Sequence, residues 1–277
     1  MAITHLCQRP AALLVFLLFT IPGALAGPVT LTGDPIDYGY EGEHACCVDV
    51  AAVNLLNYLD NQPGNDELVD DNSAIGDQQE SFHQKYDPEF KQTDASAAEL
   101  TKGLKETFKE RKFDAKIKTF YTRDLSYAAL LKEWQDGELI ILLGYETERK
   151  WGHALFLWGL EDDPSKPRVG VNDPNIHANS DHKIGGANTG SKGSTQWSDV
   201  AIGKDDKGLP DWRIQLDAPA YEYKFGDLIE THDATTYHFR ITSFVSVSDV
   251  KTEVPEGSAL ALLGISLVLL WRQRQRQ

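Results

Sequence analysis

The chain combines two adjacent cysteines with a histidine and an aspartate far downstream. Cys46 and Cys47 stand at the start of an apolar stretch, and His153 and Asp173 follow in a Gly-His-Ala and an Asn-Asp-Pro segment. An imidazole can take the proton of a thiol and later give it to a leaving amine. A carboxylate on the other ring nitrogen holds the imidazole in a fixed orientation. The three residue types therefore predict the chemistry of a cysteine hydrolase.

Hydrophobic periodicity indicates the elements that must position these groups. Over residues 48–59 the apolar positions follow the spacing of an amphipathic helix, which places a cysteine at its N-terminus. That end of a helix stabilises a thiolate and lowers its pKa. His153 begins a β-type run over 153–160, and Asp173 follows a short strand over 168–171. Two neighbouring antiparallel strands would bring the imidazole and the carboxylate together at one end of a sheet.

The other elements indicate a single α+β domain over residues 27–250. The patterns predict helices at 96–111 and 124–135, strands at 116–121, 138–145, 221–225 and 237–247, and irregular loops over 60–94 and 175–210. Because helices precede most of the strands, we expect N-terminal helices packed on an antiparallel β-sheet.

Composition sets limits on the class of protein. The 277 residues are 41% apolar, which is enough for one sizeable core, and their formal net charge is −15. A protein that follows the nucleic-acid backbone needs basic stripes, and the sequence shows none. We therefore expect no nucleic-acid partner.

Both ends of the chain indicate export. Residues 1–26 contain Arg9, an apolar run over 11–19 and an Ala-Leu-Ala exit, which are the features of a cleaved signal peptide. At the other end, an apolar run over 258–271 would span roughly 21 Å as a helix, which is short for a bilayer core of about 30 Å. Three arginines follow this run, and the positive-inside tendency predicts that they lie on the cytoplasmic side.

The segment 251–277 resembles the PEP-CTERM sorting signal of Gram-negative bacteria. The match consists of Pro255-Glu256, the apolar run and the arginine cluster at Arg272, Arg274 and Arg276, with Gly257 in place of a second proline. The resemblance implies a short transmembrane helix, an exosortase-type enzyme as a partner, and a location in the cell envelope or at the extracellular surface. An ordinary tail anchor is the alternative.

Cysteine usage favours a reactive thiol over a structural disulfide. Cys7 lies in the predicted signal peptide, so the exported chain would hold only Cys46 and Cys47. Adjacent cysteines close no loop of useful length, and a bond between them requires strained geometry. Two small buried side chains are one alternative to a nucleophile. A metal or redox role is another, although redox pairs are usually spaced by two residues and no further zinc ligand pair is evident nearby.

Taken together, the three motifs resemble those of the papain-like cysteine peptidases, and in particular the bacteriocin-processing peptidases that remove double-glycine leaders. Those chains have the same order of a cysteine-headed helix, a Gly-His-Ala strand and an Asn-Asp-Pro segment, matched here over roughly residues 40–175. The resemblance implies a papain-like fold and no cofactor. It also implies that Cys47 attacks a peptide carbonyl, His153 acts as base and then acid, and Asp173 orients His153. Cys46 is the alternative nucleophile.

Two family features are absent and keep other functions open. No Gly-Pro pair follows either cysteine, and no glutamine occupies the zone 41–44, where the family has a side chain of the oxyanion hole. Ionised Glu41 and Glu43 can only accept hydrogen bonds, whereas His44 could donate one. The alternatives to a peptidase are an inactive surface or matrix protein that binds a peptide or polysaccharide, and a transglutaminase-like acyl transferase.

Overall fold

The computed structural model describes residues 28–32, 38, 46–70, 72–89, 95–147, 152–174, 194–218, 221–225, 228–232 and 235–252. The predicted signal peptide and the predicted sorting signal beyond residue 252 lie outside these ranges, as do Glu41, Glu43 and His44. Within them, no helix has the length and apolar character needed to cross a membrane.

The described elements are four α-helices and ten strands. The helices are α1 (Cys47–Asp60), α2 (Ile75–Tyr86), α3 (Ala97–Glu110) and α4 (Tyr127–Gln135). The strands are β1 (Pro28–Thr30), β2 (Phe113–Tyr121), β3 (Leu139–Glu146), β4 (Gly152–Glu161), β5 (Arg168–Asp173), β6 (Ser194–Lys204), β7 (Pro210–Ala218), β8 (Tyr221–Phe225), β9 (Leu228–His232) and β10 (Thr235–Thr252). The last strand therefore ends two residues beyond the predicted domain boundary at 250.

Six of the strands close into an antiparallel barrel. The ring runs β4–β3–β10–β7–β6–β5 and returns to β4, because β5 pairs with both β6 and β4. Outside the ring, β1 pairs with β4 and β2 pairs with β10, while β8 and β9 form a separate hairpin. All six strands of the ring contribute side chains to one apolar cluster, which therefore fills the barrel interior.

The strand β4 shows how the barrel acquires a second apolar face. Leu155 and Leu157 belong to the interior cluster, whereas Ala154 and Phe156 belong to a cluster shared with α1, α2 and α3. Successive side chains of a strand point to opposite faces. The helices α1 and α3 therefore pack on the outside of the barrel, α1 against β4 and β3 and α3 against β2 and β10, while α2 packs on α1 and α3.

The prediction of an α+β papain-like fold, with N-terminal helices packed on an antiparallel β-sheet, was wrong. The strands form a closed barrel, and the closure depends on β6 and β7. Residues 175–210 had indicated an irregular loop, yet β6 lies inside this range and β7 begins at its end. The sequence of β6 is mostly polar and lacks the alternation that indicates a strand. Among its described side chains, only Ser198 and Val200 are buried.

A second difference concerns α2, which lies within the predicted loop 60–94. This helix buries four side chains at the spacing i, i+3, i+4, i+7: Gln79, Phe82, His83 and Tyr86. The spacing is helical, but Phe82 is the only one of the four that has no polar atom in its side chain. Hydrophobic periodicity therefore did not reveal α2. This helix nevertheless positions His83 and Tyr86, two polar groups of the site described next.

Candidate functional site

The N-terminus of α1 directs the two adjacent thiols to different places. Cys46 is the N-cap of the helix and Cys47 is its first residue. The Sγ atom of Cys47 lies 3.9 Å from the carbonyl oxygen of Gly152 on β4, whereas the Sγ atom of Cys46 lies 3.3 Å from the Tyr86 hydroxyl on α2. Both cysteines are buried and neither forms a disulfide. Two sites therefore meet at this helix end.

The first site contains the predicted imidazole and carboxylate in contact with each other. The Nε2 atom of His153 lies 2.8 Å from Oδ1 of Asp173, and both side chains are buried. The Tyr237 hydroxyl donates a hydrogen bond to the other carboxylate oxygen of Asp173. The His153 ring also packs edge-on against Phe239, with 5.9 Å between ring centroids. These contacts fix the orientation of the imidazole.

The thiol of Cys47 lies on the other side of the strand that carries this imidazole. His153 shares the alternation of Leu155 and Leu157, so its side chain is on the face of β4 that lines the barrel interior. Cys47 belongs to the cluster on the outer face and contacts the backbone at Gly152. The structure thus joins His153 to Asp173 and places Cys47 against the adjacent backbone on the opposite face.

One polar bridge ties the cysteine-bearing helix to the strand that carries Asp173. The side-chain amide of Asn54 on α1 donates a hydrogen bond of 2.9 Å to Oδ1 of Asn172 on β5. It also exchanges hydrogen bonds of 3.0 and 3.1 Å with the backbone of Tyr38. Both Asn54 and Asn172 are fully buried, so this bridge sets the position of α1 on the barrel.

The second site is a buried polar cluster around Cys46. The carboxylate of Asp49 accepts hydrogen bonds of 2.7 Å from the Cys46 N–H and 2.7 Å from the Tyr86 hydroxyl. An oxygen of the same carboxylate lies 2.8 Å from Nδ1 of His83, and the Tyr86 hydroxyl lies 3.0 Å from that nitrogen. All four residues are buried. Two helices, α1 and α2, supply the whole cluster.

The two thiols have opposite pKa shifts because they share one hydrogen bond. The hydrogen bond from Cys47 lowers the pKa of Cys46 to about 3, against the opposing effect of burial. Contacts with His83 and Tyr86 contribute to the same lowering of the Cys46 pKa. The same hydrogen bond, together with burial, raises the pKa of Cys47 above its usual range. Cys46 is therefore the acidic thiol of the pair, and Cys47 is a neutral donor.

The pKa values of the residues that contact Cys46 are all raised. Burial raises the pKa of Asp49 to about 7, although its hydrogen bond with His83 opposes this. Burial disfavours a charged His83, but its contacts with Asp49 and Cys46 outweigh burial and raise its pKa to about 10. Burial also raises the pKa of Tyr86, which stays neutral. The cluster therefore favours a thiolate beside an imidazolium.

Two groups of side chains have the residue types and proximity of metal ligands within the described part of the chain. Ligand atoms of Cys46, Asp49 and His83 all lie within 4.8 Å of one another. The second group is acidic and consists of Glu133, Asp136 and Glu138. There the Nζ atom of Lys118 lies 2.6 Å from Glu133 and 2.8 Å from Glu138, so a protein cation already bonds two of the three carboxylates.

Comparison with known proteins does not identify a family for this chain. No protein-family model matches the chain, and no curated protein matches it. The function must therefore be argued from the two sites at the N-terminus of α1 and from the order of the motifs.

Proposed function

We propose that the chain is a cysteine peptidase in which Cys47 is the nucleophile, His153 is the general base and then the general acid, and Asp173 orients His153. The observation that carries the proposal is the buried hydrogen bond of 2.8 Å between His153 and Asp173, on a strand whose backbone Cys47 contacts. The order of cysteine, histidine and aspartate motifs, shared with the double-glycine leader peptidases, supports peptide bonds as the substrate.

In this proposal one ring nitrogen of His153 carries out the proton transfers. Because Nε2 of His153 faces Asp173, Nδ1 is the atom that takes the proton of Cys47 as the thiolate attacks the carbonyl carbon. The same nitrogen then protonates the departing amine, which leaves a thioester. Water, deprotonated by His153, hydrolyses the thioester and restores the thiol.

This reaction requires the imidazole to reach the α1 side of β4. His153 is the second residue of the strand and pairs with Gly144 of β3. The proposal therefore requires the first residues of β4 to shift together with Asp173, so that the hydrogen bond between His153 and Asp173 is kept. We include this rearrangement in the proposal, with substrate in the site as the state that favours it.

A specific observation favours Cys46 as the second candidate nucleophile. Its pKa is the lowered one, and His83 with Asp49 supplies the same residue types as the first site. In that arrangement, however, Nδ1 of His83 is already held by Asp49 and Tyr86. The chain itself provides matched variants that separate the two sites.

The test is steady-state hydrolysis of a fluorogenic peptide library by the full chain and four single variants. We expect Cys47→Ala and His153→Ala to lower kcat/KM by about 10³-fold or more, as loss of a member of a catalytic triad does. Cys46→Ala and His83→Ala should retain most of the activity. The opposite pattern would move the nucleophile to Cys46, and full activity in both cysteine variants would refute a thiol mechanism.

Two further measurements separate the alternative functions. Incorporation of an added amine into a glutamine-containing peptide would indicate transglutaminase-like acyl transfer. Tight binding of a peptide or polysaccharide by a chain that hydrolyses no peptide, and whose thiols resist alkylation, would indicate a surface or matrix binding protein.

We also propose that the chain is exported and then tethered by, or released from, its C-terminal segment. The support is the signal-like sequence over 1–26 and the PEP-CTERM-like segment 251–277. In a host with an exosortase-type enzyme, we expect a C-terminal fragment to be lost in the wild type and retained after Glu256→Ala. Mass spectrometry of the envelope and medium fractions decides this, and a cytoplasmic full-length chain would contradict it.

A further inference from the structure

We infer that Cys46, Asp49 and His83 form a binding site for a divalent transition-metal ion of the zinc type. Their thiol, carboxylate and imidazole ligand atoms lie within 4.8 Å of one another. In a tetrahedral zinc site with ligands at 2.0–2.3 Å, neighbouring ligand atoms are about 3.3–3.8 Å apart. An ion therefore fits among these three groups after shifts of about 1 Å.

The contacts of Tyr86 show that the three groups face a common point. Its hydroxyl lies 2.7 Å from Asp49, 3.0 Å from His83 and 3.3 Å from the sulfur of Cys46. Polar atoms that surround one hydroxyl can also surround a cation, once His83 has released its ring proton. With an ion bound, this hydroxyl either takes the fourth coordination position or donates to the bound carboxylate.

The donor set selects the class of ion. Calcium and magnesium prefer sites made of oxygen atoms alone. A thiolate and an imidazole with one carboxylate favour a borderline-soft ion such as Zn²⁺ or Co²⁺. The acidic group of Glu133, Asp136 and Glu138 differs, because it offers carboxylate oxygens alone and Lys118 already bonds two of them.

A carboxylate also lies near the outer ring nitrogen of the histidine. Oδ2 of Asp87 lies 3.6 Å from Nε2 of His83, the ring nitrogen that does not face Asp49. Histidines that bind metals commonly direct their second nitrogen to a carboxylate, which fixes the ring and raises its basicity. The ligand Asp49 is also held in place, by the N–H of Cys46 at 2.7 Å. The site is therefore preorganised on two helices that pack together.

The inference does not depend on the proposed peptidase activity. Cys46 and Cys47 point to different elements, so a metal ion on the α2 side of α1 leaves the β4 side to the other thiol. Binding can be measured directly, without any substrate.

The experiment uses the full chain without a histidine tag, stripped of metal, and titrates it with ZnCl₂ by calorimetry and with CoCl₂ by absorption spectroscopy. We expect one equivalent of zinc and a thiolate-to-cobalt charge-transfer band. Cys46→Ala and His83→Ala should weaken zinc binding at least 100-fold. The matched control His153→Ala should keep the wild-type affinity, and Cys47→Ala should weaken zinc binding far less than Cys46→Ala does. Asp87→Asn should weaken it about 10–100-fold, as the loss of an outer carboxylate does.

The cobalt spectrum keeps the test decisive if a variant fails to fold. Only Cys7, Cys46 and Cys47 can supply a thiolate ligand. A band that persists in Cys7→Ser and in Cys47→Ala therefore assigns the sulfur to Cys46. The inference is overturned if neither ion binds at micromolar concentration, if the band disappears in Cys47→Ala, or if folded Cys46→Ala and His83→Ala bind zinc as tightly as the wild type.

Discussion

The substitution Asn54→Ala tests whether the polar bridge holds the cysteine-bearing helix on the barrel. It removes the hydrogen-bond partner of Asn172 Oδ1, which is buried, and of two backbone groups of Tyr38. Leaving one buried polar group unsatisfied costs about 1–3 kcal/mol. Hydrogen bonds at the half-buried Tyr38 contribute about 0.5–1 kcal/mol each, because water can replace part of them. We therefore expect a loss of roughly 2–5 kcal/mol in the free energy of unfolding.

The assay is urea unfolding of the full chain followed by circular dichroism, with the free energy extrapolated to water. The matched control is Asn61→Ala, at an exposed asparagine directly after the same helix. In the described contacts the side chain of Asn61 bonds only to the backbone oxygen of Asn57. This control should change the free energy of unfolding by at most about 0.5 kcal/mol.

The reasoning is refuted if Asn54→Ala costs less than about 1 kcal/mol, or no more than Asn61→Ala does. Either result would mean that apolar packing alone positions α1. An intermediate check is Asn54→Asp, which keeps the shape but replaces the amide donor to Asn172 by an acceptor. It should destabilise the protein by at least as much as alanine.

Three further predictions follow from individual contacts. Gly144→Ala should destabilise the protein by about 3 kcal/mol or more, because the new Cβ would overlap a backbone oxygen of β10. The control Gly203→Ala should be tolerated, because the nearest atom to its new Cβ is a backbone oxygen at 3.6 Å. Thermal unfolding compares the two variants. Burial opposes ionisation of Glu138, but its hydrogen bonds, one from Lys118, lower its pKa to about 2. Its contribution to stability is therefore present above about pH 4.5 and is lost as the pH falls towards 2, so Lys118→Met should lose most stability at neutral pH and least near pH 2. Tyr237→Phe removes a donor to the site carboxylate and should lower kcat about 10–100-fold with KM little changed; an unchanged kcat would show that this hydroxyl does not position the carboxylate.

The sequence predicted the local elements that carry strong periodicity. The helix that begins at Cys47, the strand β4 and the helix α3 with its Ser96 cap all form as expected. The expected approach of His153 and Asp173 also occurs, because both lie at the end of antiparallel strands. Each of these features depends on residues near one another in the chain or on two consecutive strands.

The features that were missed depend on distant partners. Barrel closure requires β5 to pair with β6, whose polar sequence gives no strand signal of its own. The cluster around Cys46 requires His83 and Tyr86, which lie on a helix that buries mostly polar side chains. The divergence of two adjacent cysteines depends on which neighbour packs against each thiol, and a periodic pattern in α1 contains no information about that.

Acyl trapping shows whether Cys47 forms the covalent intermediate. The full chain is mixed with an activated peptide ester and quenched within the first turnover, and the acylated residue is mapped by mass spectrometry. We expect a thioester on Cys47 that forms in Cys46→Ala and is absent in Cys47→Ala. Its formation should slow markedly in His153→Ala. An adduct on Cys46, or peptide hydrolysis that continues in Cys47→Ala, would contradict the claim.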